Sequence, residues 1–195
     1  MMVAIDPGHG MANSKTGVYD PGAVGTLDGT TYQEATVALR YGLRLRDILA
    51  SQQVDVFMTR VDATTPTPVG KRASRAEQAG CTLFVSLHLN AADSTQANGL
   101  EVLYRRDADR KLAETMRDAL AKAGGLRARD VVQRDNLAVL KFNGPAILIE
   151  LGFISNAGDL SKLLDPAIQE TLCQTMAGVI NPGVADAPDL ADPEV

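Results

Sequence analysis

The chain predicts an α/β fold: one domain built on a mainly parallel, twisted sheet of about six strands with helices on both faces. Three observations point there. Short apolar runs rich in branched residues alternate with amphipathic stretches of helical period, the pattern of strand–helix–strand units. Two of the runs, at 82–87 and 146–151, are apolar almost throughout, which is how a strand covered on both faces reads. At 195 residues, 45% hydrophobic and 22% charged, the chain can bury one sizeable core, and no linker or internal repeat divides it.

The elements follow in order. Val3, Ala4 and Ile5 form a short strand ended by Asp6-Pro7-Gly8, and a glycine-rich loop runs on through Gly29. A helix spans about 32–51, where Ala35, Ala38, Leu39, Gly42, Leu45, Ile48 and Leu49 recur at spacings of three and four. Residues 54–59 read as the next strand. Pro66 and Pro68 precede a helix over 71–79 that Gly80 closes. Strands at 82–87 and 100–104 come next, then a helix over 109–123 that turns Leu112, Met116, Ala119, Leu120 and Ala123 inward and stops at Gly124-Gly125. Pro145 introduces the strand at 146–151. Asn156 followed by Asp159 resembles an N-cap box, and Asp165-Pro166 opens a last helix reaching about Ile180. The domain therefore occupies residues 1–180. Beyond it, 181–195 carry three prolines, four acids and no base, which predicts a disordered acidic tail.

Composition removes several function classes. A net charge of −5 with acids interleaved among the bases disfavours nucleic acid, which requires clustered Lys and Arg. No stretch approaches the ~20 apolar residues of a membrane span, so no membrane insertion is expected. Met1-Met2-Val3-Ala4-Ile5-Asp6-Pro7 lacks the basic start and apolar segment of an export signal, which predicts synthesis in the cytoplasm without a signal peptide. Two cysteines, Cys81 and Cys173, with no C-x-x-C, predict free buried thiols rather than a disulfide framework or thiolate site. The glycines from Gly8 to Gly29 match neither phosphate-binding fingerprint.

The histidines carry the functional signal. There are only two, His9 and His88, each at the exit of an apolar strand, and neutral imidazole is the commonest zinc ligand. Glu150 ends the run Ala146-Ile147-Leu148-Ile149, so all three belong at the carboxyl edge of the sheet, where ligands of open α/β folds gather. A hydrolytic zinc site uses about three protein ligands and keeps one position for water. The third ligand is then a carboxylate or a thiolate. Cys81 lies seven residues before His88, about 23 Å away at ~3.3 Å per strand residue, and Cys173 falls inside the last helix. Glu34, in the first turn of the long helix, begins near that edge and benefits from the helix dipole. Glu150 stays free as a second carboxylate close to the bound water, giving one ligand and one base. Each residue also has an ordinary reading: a hydrogen-bonded loop histidine, or a helix-start carboxylate in the case of Glu34. Glu150 is harder to treat so, because a charge closing an apolar run requires a partner or a task.

Several segments resemble the zinc-dependent N-acetylmuramoyl-L-alanine amidases: Ile5-Asp6-Pro7-Gly8-His9-Gly10, Asp20-Pro21-Gly22-Ala23 with Gly25, Ser86-Leu87-His88-Leu89-Asn90-Ala91-Ala92, Gly99-Leu100-Glu101-Val102, and Pro145 through Asn156. Thr59-Arg60 with Asp62, and Arg72, extend the likeness, which covers residues 3–180 in order. The resemblance implies cleavage of the amide between the lactyl group of N-acetylmuramic acid and the first L-alanine of the peptidoglycan stem. It also implies Zn²⁺ held by His9, Glu34 and His88, with Glu150 as the catalytic carboxylate. Asp28 is a rival carboxylate to Glu34, but shorter and at no ligand position of the family.

Two further expectations follow from the same likeness. Some relatives insert a blocking helix between the second histidine strand and the next, whereas here only Ala91 to Asn98 separates Asn90 from Gly99. An open, monomeric enzyme that needs no activator is expected. The lack of a leader and of wall-binding repeats suits an endolysin-like enzyme that reaches the cell wall through a separate phage holin, or the catalytic domain of a bacterial enzyme. Two other classes remain beside this one: a metal-dependent peptidase or aminoacylase acting on another amide, and a non-catalytic wall-binding module.

Overall fold

The computed structural model describes residues 1–13 and 17–183. Its strands are β1 (Met2–Pro7), β2 (Gly10–Asn13), β3 (Val18–Asp20), β4 (Val24–Leu27), β5 (Thr30–Gln33), β6 (Asp55–Met58), β7 (Leu83–Asn90), β8 (Leu100–Tyr104), β9 (Ala128–Gln133) and β10 (Ala146–Phe153). The helices are α1 (Glu34–Ser51), α2 (Val69–Gln78), α3 (Arg110–Gly124), α4 (Ala157–Leu164) and α5 (Pro166–Ile180), with a 3₁₀ turn at Ala138–Lys141. The expected tail lies, from residue 184 onward, outside the described residues. No helix among those described is long and apolar enough to cross a membrane.

Six strands form the central sheet in the order β6-β1-β7-β10-β8-β9, and β2-β3 and β4-β5 are separate hairpins. The first four strands of that order run parallel. The β8 strand is antiparallel to β10, and β9 runs parallel to β8. The reversal has a local cause. The segment between β7 and β8 is shorter than the dozen or so residues of a parallel crossover, so β8 must start at the edge where β7 ends.

Alternate residues of the strands feed two unequal cores. Val3, Ile5, Val85, Leu87, Leu89, Ile147, Ile149 and Leu151 pack into the larger one with the inner faces of α1, α3, α4 and α5. Ala4, Phe84, Ala146 and Leu148 face the smaller one, closed by Ala73 and Ala76 of α2 and by Val139, Leu140 and Phe142 at the 3₁₀ turn. Within α1 the buried stripe includes Val37 and Tyr41, while Leu39 lies at its margin. Asp165 caps α5 by accepting from the Ala167 and Ile168 amides, and Asn156 caps α4 by accepting from that of Asp159.

Three sequence expectations are corrected here. Cys173 is buried but Cys81 is only partly so, because it precedes β7 instead of lying within it. The β9 strand has no counterpart in the sequence reading; its Ala-Arg-Asp-Val-Val-Gln run is a half-exposed sheet edge, where no apolar run is needed. Both long central strands outlast their apolar runs, β7 to Asn90 and β10 to Phe153. His88 therefore sits inside β7 and not in an exit loop, in register with Glu150 of β10.

Candidate metal centre

Sheet parity places Asp6, Ser86, His88, Glu150 and Glu101 on the face of the smaller core. The register pairs His88 with Glu150 and Glu150 with Glu101, so these three form one row across β7, β10 and β8. His9 reaches the same place from the loop after β1, its backbone in the left-handed region at φ 60°, an uncommon conformation for a side-chain-bearing residue. Glu34 enters as the first residue of α1.

His9, Glu34 and His88 meet with one potential ligand atom each, all within 4.8 Å of one another. Glu34 Oε1 lies 3.0 Å from His9 Nε2 and 2.8 Å from His88 Nδ1, and it also accepts the Leu89 amide at 3.0 Å. Its second oxygen accepts the Ala23 amide at 2.9 Å. The two rings stand edge to face, centroids 4.9 Å apart. Two glycines make room for them. A Cβ at Gly8 would collide with the His88 ring, and one at Gly22 would lie 2.6 Å from His9 Cδ2 and 2.7 Å from Glu34 Oε2.

The electrostatics follow from these contacts. Burial alone would raise the Glu34 carboxyl, yet the hydrogen bonds from His88 and His9 hold it well below the usual carboxylate range. Burial pulls the His9 imidazolium down, and the Glu34 and Asp20 carboxylates more than reverse this, so its pKa is raised. Both His9 nitrogens face carboxylate oxygens: Nε2 faces Glu34, and Nδ1 faces Asp20 Oδ2 at 2.8 Å. A proton on Nε2 therefore occupies the place where a cation can sit. Two imidazole nitrogens and a carboxylate oxygen are a donor set that fits a divalent transition-type ion.

Glu150 is different in kind. Its Oε2 is sealed from solvent without a hydrogen-bond partner. Burial first, with Glu34 and Glu101 adding to it against the histidines, pushes its carboxyl up to about 7. Such a group can both take and release a proton near neutrality. A cleft of about 220 Å³ opens beside the centre, lined by His9, Asp20, Arg72 and His88 together with Val69, Leu137, Val139 and Leu148.

Beneath the centre lies a buried polar network. Asp6 accepts from Thr59 Oγ1 at 2.6 Å, Ser86 Oγ at 2.7 Å and Arg72 Nη1 at 3.0 Å. Arg72 also donates to the His9 carbonyl, and Arg60 donates to the carbonyls of Pro7, Gly8 and Ala35. The two guanidiniums thus clamp the loop that presents His9 and tie it to α1.

All four residues singled out in the sequence, His9, Glu34, His88 and Glu150, converge here. Asp28 does not; it is exposed at the turn between β4 and β5. Cys81 and Cys173 are not part of the cluster. Asp20, Asp6, Arg60 and Arg72 were given no role in the sequence reading. For Asp6 a signal exists, since it closes the apolar run Val3-Ala4-Ile5 as Glu150 closes its own.

Comparison with known proteins bears on the fold and the family. A family model described as N-acetylmuramoyl-L-alanine amidase matches residues 3–181. The probable cell wall amidase LytH of Staphylococcus aureus is 28% identical over 176 residues, covering 89% of this chain and 55% of that protein. The chain thus spans about half the length of the curated relatives it matches. Among solved structures, the catalytic domain of the N-acetylmuramoyl-L-alanine amidase CwlV from Bacillus (Paenibacillus) polymyxa var. colistinus superposes with a TM-score of 0.82 at 32% identity, covering 94% of this chain and 98% of that one. The amidase AmiC2 of Nostoc punctiforme superposes with a TM-score of 0.82 at 30% identity, covering 95% and 97%.

Proposed function

Because the chain belongs to the N-acetylmuramoyl-L-alanine amidase family, we propose that it hydrolyses the amide between the lactyl group of N-acetylmuramic acid and the first L-alanine of the peptidoglycan stem. The observation that carries this reading is the Glu150 carboxyl, unpartnered at Oε2 and one strand from His88. It has no structural task and a proton affinity suited to neutral pH.

On this reading His9 Nε2, Glu34 and His88 hold Zn²⁺, with Asp20 keeping the His9 proton on Nδ1. When bound, the ion would supply Lewis acidity toward the scissile carbonyl and the attacking water. Glu150 accepts a proton from that water and delivers it to the departing amine. Asp6, Arg60 and Arg72 act at a distance, by fixing the loop that carries His9. The apolar walls of the cleft exclude bulk water from one side of the reacting amide. The same reading makes the chain a monomer that acts on the cell wall beyond the membrane without an activator. The bends and turns of residues 91–99, which form no helix, support the last point.

The test is digestion of purified peptidoglycan with the zinc-loaded protein, followed by identification of new amino termini. Freed L-alanine amino groups are expected from the native chain. E150Q is expected to retain the metal and release none. New termini at another residue would assign the site to a different amide, and no release at saturating Zn²⁺ would overturn the hydrolase reading.

A further inference from the structure

Glu150 has a neighbour that the proposed chemistry does not use. Glu101 pairs with it directly across β8 and β10, on the side away from His88, and parity turns both side chains to the same face. Glu101 is largely enclosed, with 16% of its side chain exposed, and its nearest cation is Arg129, whose Nε lies 3.6 Å from Oε1. That distance is too long for a hydrogen bond. Arg129 is engaged elsewhere, its guanidinium 5.1 Å over the Phe153 ring and one nitrogen 3.3 Å from the Asn98 carbonyl. Its Nε is itself without a partner.

Two adjacent carboxylates, Glu101 and Glu150, therefore have no hydrogen-bond donor among the described residues. Of their oxygens only Glu150 Oε2 is sealed from solvent without a partner, a state that costs free energy, and the fold holds the two carboxylates side by side in the row that begins at His88. The ligand that relieves them must bring N–H groups, and preferably positive charge. An amide presents a donor only on its nitrogen side; its acyl side carries acceptors. The row running His88, Glu150, Glu101 is thus polarised along the sheet, with the metal ligand His88 at one end and, at the other, a carboxylate that receives no hydrogen bond from its Arg129 counter-ion.

We propose that Glu101 is the binding residue for the amine side of the scissile bond. It accepts a hydrogen bond from the N–H adjoining the first stem residue and then holds the ammonium of the released peptide. In balance, the C–N bond breaks, the water oxygen forms a new C–O bond to the acyl carbon, and the products are a carboxylate and an alkylammonium. The ammonium carries the proton delivered by Glu150 and the one left by ionisation of the new acid. Glu101 takes no proton in this scheme. It offers the charge against which the product amine rests. The proposal rests on the amidase reading for the identity of the peptide.

Calorimetric binding tests it without requiring turnover. The zinc-loaded protein is titrated with L-alanyl-D-isoglutamine and, separately, with the N-acetylated form of the same peptide. The native chain is expected to bind the free-amine peptide at least about tenfold more tightly, a ratio that corresponds to ~1.4 kcal/mol. E101Q should reduce that ratio to within about twofold while retaining zinc and melting temperature, and R129M should preserve or increase it. If Glu101 only anchors Arg129, E101Q would lower the melting temperature and leave the ratio unchanged. A native chain that shows no preference for the free amine, or an E101Q variant that keeps it, overturns the proposal. Release of alanine amino groups from peptidoglycan, measured in parallel, tests the amidase reading by itself, so the two can fail separately.

Discussion

Asp20 Oδ2 stands 2.8 Å from His9 Nδ1, while Asp20 Oδ1 accepts the Gly22 amide at 2.9 Å. Asp20 is thereby fixed by its own loop and in turn fixes the imidazole, leaving Nε2 to face Glu34. Outer partners of this type orient a ligand ring and raise its basicity, and their removal typically weakens metal binding by 10–100-fold. D20A is expected to bind Zn²⁺ about 10- to 100-fold more weakly, read by competition with a chromophoric chelator. An affinity equal to that of the native chain would mean that His9 is oriented by its backbone alone.

Gly22 serves the same ring in a different way. Its φ of +67° favours glycine, and a Cβ there would press on both His9 Cδ2 and Glu34 Oε2. Gly29 shares the first property, with φ +77°, but has open space around it. G29A should therefore cost only backbone strain, about 1 kcal/mol, and keep the metal. G22A should lose a similar or larger stability and also its zinc. Elemental analysis of the two purified variants, beside their unfolding curves, separates strain from steric displacement of ligands.

The network below the site predicts an effect on stability. Arg60 is 1% exposed, and its planar fork reaches the carbonyls of Pro7, Gly8, Ala35 and Asp62. A lysine ammonium cannot reproduce that span. Hydrogen bonds from a charged donor contribute roughly 1.5–3 kcal/mol each, so R60K is expected to lose about 2–4 kcal/mol in urea unfolding of the metal-free protein. A loss below about 1 kcal/mol would show that the loop before His9 holds its shape without the clamp.

The sequence made the centre legible because its elements are extreme. Two histidines in the whole chain, and a glutamate closing an aliphatic run, stand out against any background. The strand–helix alternation likewise exposed the sheet, since strands buried on both faces must be continuously apolar. Asp20 stayed without a role because a loop aspartate near glycines has many ordinary uses. Asp6, Arg60 and Arg72 did so because the contacts that join them to the His9 loop and to one another span more than fifty residues of chain, as in Arg60 with Pro7 and Arg72 with Asp6. The β9 strand and the two small hairpins were missed because half-exposed strands need no hydrophobic run. The strand ends at Leu87 and Leu151 were set too early for a related reason: at the site, the ladder continues beyond the aliphatic run.

The shifted carboxyl of Glu150 predicts how stability depends on pH. In the unfolded chain this group ionises near 4.5, and in the folded protein near 7, chiefly because burial penalises its charge. Between these values the folded state holds a proton that the unfolded state has released. Rising pH therefore favours unfolding through that window, and above about 7 the folded protein carries the whole cost of a buried charge, up to about 3 kcal/mol at 1.36 kcal/mol per unit. Glutamine is neutral at every pH and avoids that cost. Metal-free E150Q is thus expected to match the native chain in stability at pH 4 and to exceed it by about 1–3 kcal/mol at pH 8, measured by urea unfolding. Contributions from His9 and Glu34 are common to both proteins apart from their charge coupling to Glu150, which is smaller than the burial effect. Zn²⁺ should shrink the gap, because a cation beside Glu150 favours its charged form. A difference that is equal at both pH values would show that the Glu150 carboxyl ionises as it does in water, and would remove the proton-carrier role with it.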